Sequence, residues 1–294
     1  MVFSDEFGAP QLDAHKWITT MHFAGVLGER FHNFSYLNYN LDENVLFDNG
    51  VLQLRAERKT TQGTNPAGVY QYTGGLVSTE KSFAFKYGYI EMRAKYPGGR
   101  GVWPVFWLMP NDAKAWPPEF DIAEYYAGAG IMHNGLCHGD VRAPKWDSTG
   151  ITDSKAELAF HTYALEWSPG RAVWYQDGVM RKTVEAAYVP DAPMYIILNN
   201  GVSSQFGPSG LPNDQTVFPN FFEIDYVRVY QLGTPVVVPE NALAMIDPTS
   251  TAPAAPKTVA AAPSPATPAP VPPVAPAPVP TAPISLPVAG AVIP

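Results

Sequence analysis

Glu119, Asp121 and Glu124 fall within six residues, inside the run AWPPEFDIAEYY (115–126). Most of the neighbouring residues are apolar or aromatic. Carboxylates withdrawn from water need partners, and like charges repel, so such a cluster is costly. The ordinary alternative is a solvated strand face carrying unrelated acids. Strand geometry separates the two readings. Side chains alternate along a strand, so Glu119 and Asp121 share a face, and a regular strand would turn Glu124 to the other. One extra residue, a β-bulge, returns Glu124 to the same side, and Ile122-Ala123, with its small alanine, is where it fits. The glutamates are then separated by about four strand steps, roughly 13 Å between Cα atoms. Leaning side chains bring the carboxyl groups toward the ~5–5.5 Å of retaining glycoside hydrolysis, short of the ~6.5–9.5 Å of inversion. In that chemistry an ionised carboxylate attacks the anomeric carbon. A protonated one gives its proton to the leaving oxygen and then activates water. Asp121 lies between them and is placed to hydrogen-bond one partner. Crowding three acids raises at least one pKa, which helps keep a proton donor protonated near neutral pH.

Short strands must position these groups. VLFDNGVLQLRAE (45–57) sets Asn49-Gly50 between two apolar runs, and AVWYQDGVMRKTV (172–184) repeats the device with Asp177-Gly178. Asn-Gly and Asp-Gly accept positive φ at both central turn positions, so both runs predict hairpins. YGYIEMRAKY (87–96) alternates, with Ile90, Met92 and Ala94 on one face and Glu91, Arg93 and Lys95 on the other. FFEIDYVRVYQL (221–232) reads as a last strand. Helical periodicity is weak, and SKAELAF (154–160) is the best short helix candidate. No internal repeat with a period of 20–50 residues is visible. Strands punctuated by turns argue for an all-β fold, an antiparallel sandwich or jelly roll.

The prolines divide the chain of 294 residues. Fourteen of the 31 lie in residues 1–232 and seventeen in residues 233–294. The second segment carries only Glu240, Asp247 and Lys257 as charges. Runs such as TPAPVPPVAPAPVP (267–280) suit an extended spacer. Residues 1–232 are thus expected to form one complete domain with its own core, and residues 233–294 a disordered linker or tail. The net charge is −8 and the pI near 5.2, which argues against nucleic acid as partner. No apolar run is long enough to span a membrane. The opening MVFSDEF has neither a basic n-region nor an apolar h-region, so no signal peptide is expected in this chain. Cys137 is the single cysteine, which excludes an intrachain disulfide.

Several segments in order along the chain carry a resemblance. They are FSDEF (3–7) with LDAHKW (12–17), DNGVLQLRA (48–56), YGYIEMRAKYPGGRGVWPVFWLMP (87–110), EFDIAE (119–124), FHTYALEWSPGRAVWYQDG (160–178) and IDYVRVYQ (224–231). Together they resemble glycoside hydrolase family 16, the laminarinase-like β-glucanases, whose signature E-x-D-x-(x)-E the run EFDIAE matches in its longer, bulged form. The resemblance implies a concanavalin-like jelly roll, with an open cleft on the concave sheet. It implies Glu119 as nucleophile, Asp121 as its helper and Glu124 as general acid/base. No cofactor is implied for catalysis.

Further roles follow from the same resemblance. Trp103 and Trp116 resemble cleft tryptophans, whose flat indoles suit a pyranose face, although large aromatics also fill cores. Trp107 reads as core. His138, in GLCHGD, resembles a family histidine near the leaving group, against the ordinary reading of a structural histidine. Arg93, on the polar face of its strand, is placed to meet sugar hydroxyls or a surface acid. Many family members bind a structural calcium, and the matching positions are Glu6, Gly50 and Asp225, where carboxylates and a backbone carbonyl would suit a hard cation.

Departures bear on substrate. Proline 118 precedes Glu119 where β-1,3-glucanases usually carry glycine. The segment HFAGVLGERFHNFSYLNYN (22–40) also differs, and its Arg30, His32, Asn33, Tyr36 and Asn38 are candidates to read a charged or decorated sugar. The reading is a retaining endo-glycanase on β-1,3 or mixed β-1,3/1,4-glucan, acting as a monomer outside the cell or at its surface, because a polymer does not enter cells. Agarase-like or carrageenase-like activity, an exopolysaccharide substrate and transglycosylation stay open. A non-catalytic glucan-binding module would typically have lost a catalytic glutamate.

Overall fold

The computed structural model describes residues 1–22, 29–30, 35–112, 116–204 and 209–231. His32 and Asn33 and the whole of residues 233–294 lie outside the described residues. Among the described residues there are eighteen strands: β1 (Phe3–Asp5), β2 (Asn38–Asn40), β3 (Val45–Asp48), β4 (Val51–Ala56), β5 (Thr61–Thr64), β6 (Ala67–Tyr70), β7 (Tyr72–Ser78), β8 (Ala84–Phe85), β9 (Gly88–Lys95), β10 (Val102–Pro110), β11 (Glu119–Tyr126), β12 (Ile131–Asp140), β13 (Ala143–Thr152), β14 (His161–Ser168), β15 (Arg171–Gln176), β16 (Val179–Glu185), β17 (Met194–Val202) and β18 (Asn220–Tyr230). Asp42–Asn44 forms a 3-10 turn.

Two large sheets form an all-β jelly-roll sandwich. One has the order β16-β15-β14-β9-β18-β4-β3, with β1 also on β18; the other has the order β13-β12-β11-β10-β17-β7-β2, with β8 also on β17. All their pairings are antiparallel except β2 with β7. β5 and β6 form a separate ribbon.

Local sequence explains these elements. Asn49 (φ 50°) and Gly50 (φ 80°) form the tight turn of the β3–β4 hairpin, and Asp177 (φ 51°) and Gly178 (φ 71°) that of β15–β16. Positive φ at both central residues matches the right-handed twist of the flanking strands. In β9 the alternation is complete, with Ile90, Met92 and Ala94 fully buried. SKAELAF is not a helix. Asp153 caps a turn there, accepting from the N–H groups of Lys155 and Ala156, and two turns are too few to nucleate a helix without packing.

The core lies between the sheets. Leu54, Met92, Trp167, Trp174 and Phe222 from the first sheet meet Phe106, Phe120, Ile122 and Leu198 from the second. Burying each such side chain stabilises the fold by about 1.5–3 kcal/mol. A second apolar cluster covers the outer face of the second sheet and includes Tyr36, Trp103, Trp107, Tyr126, Tyr195 and Ile197. The carboxylates sit on that outer face.

Candidate active site

The bulge falls where the acids require it. Between β11 and β12, Asp121 pairs with Gly135, but the next pair is Glu124 with His133. Between β11 and β10, Ala123 pairs with Phe106 and Asp121 with Trp107. One extra residue therefore sits in β11. Ile122 and Ala123 both turn into the core, and Glu119, Asp121, Glu124 and Tyr126 share the outer face. Side chains satisfy three successive carbonyls at this irregularity. Trp174 Nε1 donates to Asp121 O at 2.9 Å, Asn134 Nδ2 to Ile122 O at 2.7 Å and the Tyr96 hydroxyl to Ala123 O at 3.0 Å. Each is worth about 0.5–1.5 kcal/mol net, and loss of a buried partner costs more.

Each glutamate has its own indole. Trp116 Nε1 donates to Glu119 Oε2 at 2.7 Å, and Trp103 Nε1 to Glu124 Oε1 at 2.8 Å. Glu124 also accepts a hydrogen bond from Tyr126. His133 Nδ1 lies 2.6 Å from Glu124 Oε2 without meeting hydrogen-bond geometry. Asp121 is buried and hydrogen-bonded to Glu119. Burial pushes the Glu119 carboxyl up to about 7; the Trp116 and Asp121 hydrogen bonds oppose that rise, and repulsion from Glu124 adds to it. Asp121 is held well above the carboxylate range by burial and by the charges of Glu119 and Glu124. The pair thus keeps one proton on Asp121, which donates it to Glu119 and favours the ionised form of that glutamate. This is a nucleophile-like carboxylate beside a second one rich in donors.

The site gathers some of the expected residues and excludes others. Trp103 and Trp116 are there, each donating its N–H to a glutamate. Trp103 is buried between Tyr36, stacked at 4.4 Å, and Tyr126 at 6.0 Å, so its faces are already covered. Trp107, expected in the core, is buried in the cluster on the outer face of the second sheet, its Nε1 donating to Asn199 Oδ1 at 2.9 Å. His138 is on the other face of β12, next to Cys137, which pairs with Glu119; its ring stacks on Tyr188 at 3.8 Å. The histidine beside the acids is His133, two strand positions short of Cys137's neighbour Gly135 and facing Glu124. Arg93 belongs to the opposite sheet, where it pairs with Asp225 and lies over the Phe160 ring. From the 22–40 segment, Arg30 is paired to Asp42, and Asn38 accepts from the Val202 N–H. Among the described residues of that group, Tyr36 bears on the acids: it stacks on Trp103, and the charge of Glu124 adds to burial in raising its phenol pKa.

The calcium positions do not fit a cation. Glu6 is held by both the Nε and an Nη of Arg228, and Asp225 by Arg93, so each carboxylate already faces a guanidinium. Gly50 serves the hairpin turn. The one cluster with metal-like spacing among the described residues is Asp121, Glu124 and His133, whose ligand atoms lie within 4.8 Å of one another. Two carboxylates and an imidazole would suit a divalent cation. The Trp103 and Tyr126 donors on Glu124 already balance its charge without one.

Fold and site together define a jelly-roll sandwich with a carboxylate site on one sheet face. Residues 32–206 match the sequence profile described as Glycosyl hydrolases family 16, and the chain belongs to that family. It is 30% identical over 243 residues to the endo-1,3-1,4-beta-glycanase ExsH of Rhizobium meliloti, covering 78% of this chain and 51% of that protein. A second glycanase of that organism, EglC, is 33% identical over 190 residues, covering 62% of this chain and 38% of the relative. The chain therefore spans about half or less of these relatives' lengths. Among solved structures, the laminarinase catalytic domain of Thermotoga maritima superposes with a TM-score of 0.66 at 27% identity, covering 79% of this chain and 98% of that one.

Proposed function

We propose that the chain is a retaining endo-glycoside hydrolase that cleaves β-1,3 or mixed β-1,3/1,4-glucan by double displacement. The observation that carries this reading is the bulge in β11, which sets Glu119, Asp121 and Glu124 on one face with separate donors. Glu119 attacks the anomeric carbon, kept ionised by the proton that Asp121 donates to it. Glu124 protonates the leaving oxygen. Water then enters, Glu124 takes its proton, and the glycosyl–Glu119 ester is hydrolysed with a second inversion, giving net retention. Trp103 and Tyr126 orient Glu124, and His133 stands against its other oxygen.

The names of the two R. meliloti relatives, both endo-1,3-1,4-beta-glycanases, support mixed β-1,3/1,4 linkages. Glu119, Asp121 and Glu124 all lie on β11, so the reaction as proposed needs no second copy of the chain. A polymer substrate places the reaction outside the cell or at its surface. By composition, residues 233–294 read as a spacer. Retention of the acids argues against a pure binding module. The test is a reducing-sugar screen over laminarin, lichenan, agarose, carrageenan and a bacterial succinoglycan. Release from laminarin or lichenan is expected. Cleavage of a galactan alone would overturn the substrate, and tight binding without cleavage would overturn the activity.

A further inference from the structure

Seven tryptophans are present, and they are used differently. Trp17, Trp103, Trp107, Trp167 and Trp174 are buried, and Trp116 is half-buried with its N–H on Glu119. Trp146 alone is exposed, at 47%. Its position on β13 is fixed by register. Glu119 pairs with Cys137 on β12, and Cys137 pairs with Trp146. Residues paired across a sheet share a face, so Trp146 stands on the face of the acids, two strand spacings or roughly 10 Å from Glu119. The neighbours of Trp146 confirm this orientation. Asp147 points the other way, toward Lys182 and Tyr188, and its partner Leu136 lies in the sandwich core.

The side chains between Glu119 and Trp146 on this face are small: Cys137, fully buried, stands between them, with Gly135 and the exposed Ser148 one pair further along. Burial and the nearby Glu119 and Asp121 push the Cys137 thiol up to about 12, so it stays neutral and inert. An exposed flat indole, in line with the nucleophile across the strands, matches the apolar face of a pyranose ring in a chain laid across the sheet. Trp103 does not offer this, because Tyr36 and Tyr126 already cover its faces.

We propose that Trp146 is a sugar-stacking subsite, holding a pyranose of the polymer on the side of the acids opposite Trp103. The inference rests on the glycanase reading above. It assigns Trp146 to binding alone, away from the reacting atoms. Such a contact acts equally on ground state and transition state, so its loss raises KM and leaves kcat unchanged.

The experiment uses the full chain with lichenan as probe. Trp146→Ala is expected to raise KM about tenfold, the scale on which burying an aromatic face contributes to binding. Trp146→Phe should recover most of it. In a Glu119→Gln background, the alanine change should weaken lichenan retention on affinity gels by a similar factor. Unchanged KM and unchanged retention would overturn the subsite alone. A loss of concentration-dependent self-association with kinetics unmoved would assign the indole to contacts between copies, and would also overturn it. Absence of any cleavage by the unaltered chain would overturn the glycanase reading and the subsite with it.

Discussion

The two faces of β11 have the same backbone and opposite economies. On one, Phe120, Ile122, Ala123 and Tyr125 pack into the core between the sheets. On the other, Glu119, Asp121 and Glu124 crowd together, and burial raises two of them above the ordinary carboxylate range. The first face stabilises the fold. The second destabilises it at neutral pH and is compensated locally by two indoles, a tyrosine and a histidine. A single bulge, with its carbonyls held by Trp174, Asn134 and Tyr96, keeps the two apart. The arrangement shows that the cost of the site is carried by the neighbours of the strand more than by the strand itself.

Glu119→Gln breaks the reactive face most severely. It removes the nucleophile, and turnover should fall at least about 10⁴-fold while the fold survives. Residual activity within tenfold of the unaltered chain on lichenan would sink that assignment. Glu124→Gln is expected to cost about 10²–10⁴-fold, and less on a substrate with a good leaving group, which needs no proton. A loss that is equal on both substrates would contradict the acid role.

The pH dependence sharpens the contrast. Activity should rise with pH through about 7 as Glu119 ionises. Asp121→Asn should flatten that limb and lower kcat, because the shared proton is gone. A pH–rate profile unmoved by the substitution would contradict the proton-sharing pair. The same shifts bear on stability with a definite sign. A carboxyl whose folded pKa is raised favours the folded state below its unfolded value near 4–4.5, and that contribution is lost as pH rises through the folded value. Glu119→Gln should therefore gain on the unaltered chain by about 1–3 kcal/mol between pH 5 and pH 8 in denaturant titrations. No pH-dependent gain would mean that the acids are not under strain.

The smallest effect concerns the bulge itself. Tyr96→Phe and Asn134→Ala should each cost about 1–3 kcal/mol, since both leave a buried carbonyl without its donor. Activity should fall together with Glu124 positioning in Asn134→Ala. Chemical denaturation with parallel kinetics would separate the two.

What the sequence made legible was local. The turns Asn49-Gly50 and Asp177-Gly178, the alternation of β9 and the bulge at Ile122-Ala123 each follow from a few neighbouring residues. What it left hidden depends on register between strands. His133 and His138 lie five apart on one strand, so parity puts them on opposite faces, but only the pairing of Glu124 with His133 says which faces the acids. Arg93 finds Asp225 across 132 positions, beyond any local pattern. The indoles of Trp103 and Trp116 were legible as cleft residues, while the direction of their N–H groups was not. Trp146 escaped notice because its strand is exposed almost throughout and shows no alternation.

Proton NMR of the first sugar released from lichenan tests the central claim most directly. The bulged strand, with Glu119 and Glu124 on one face, predicts that the β-anomer appears first and mutarotates afterwards. If the α-anomer appears first, the reaction inverts, and the two glutamates do not work as nucleophile and acid/base.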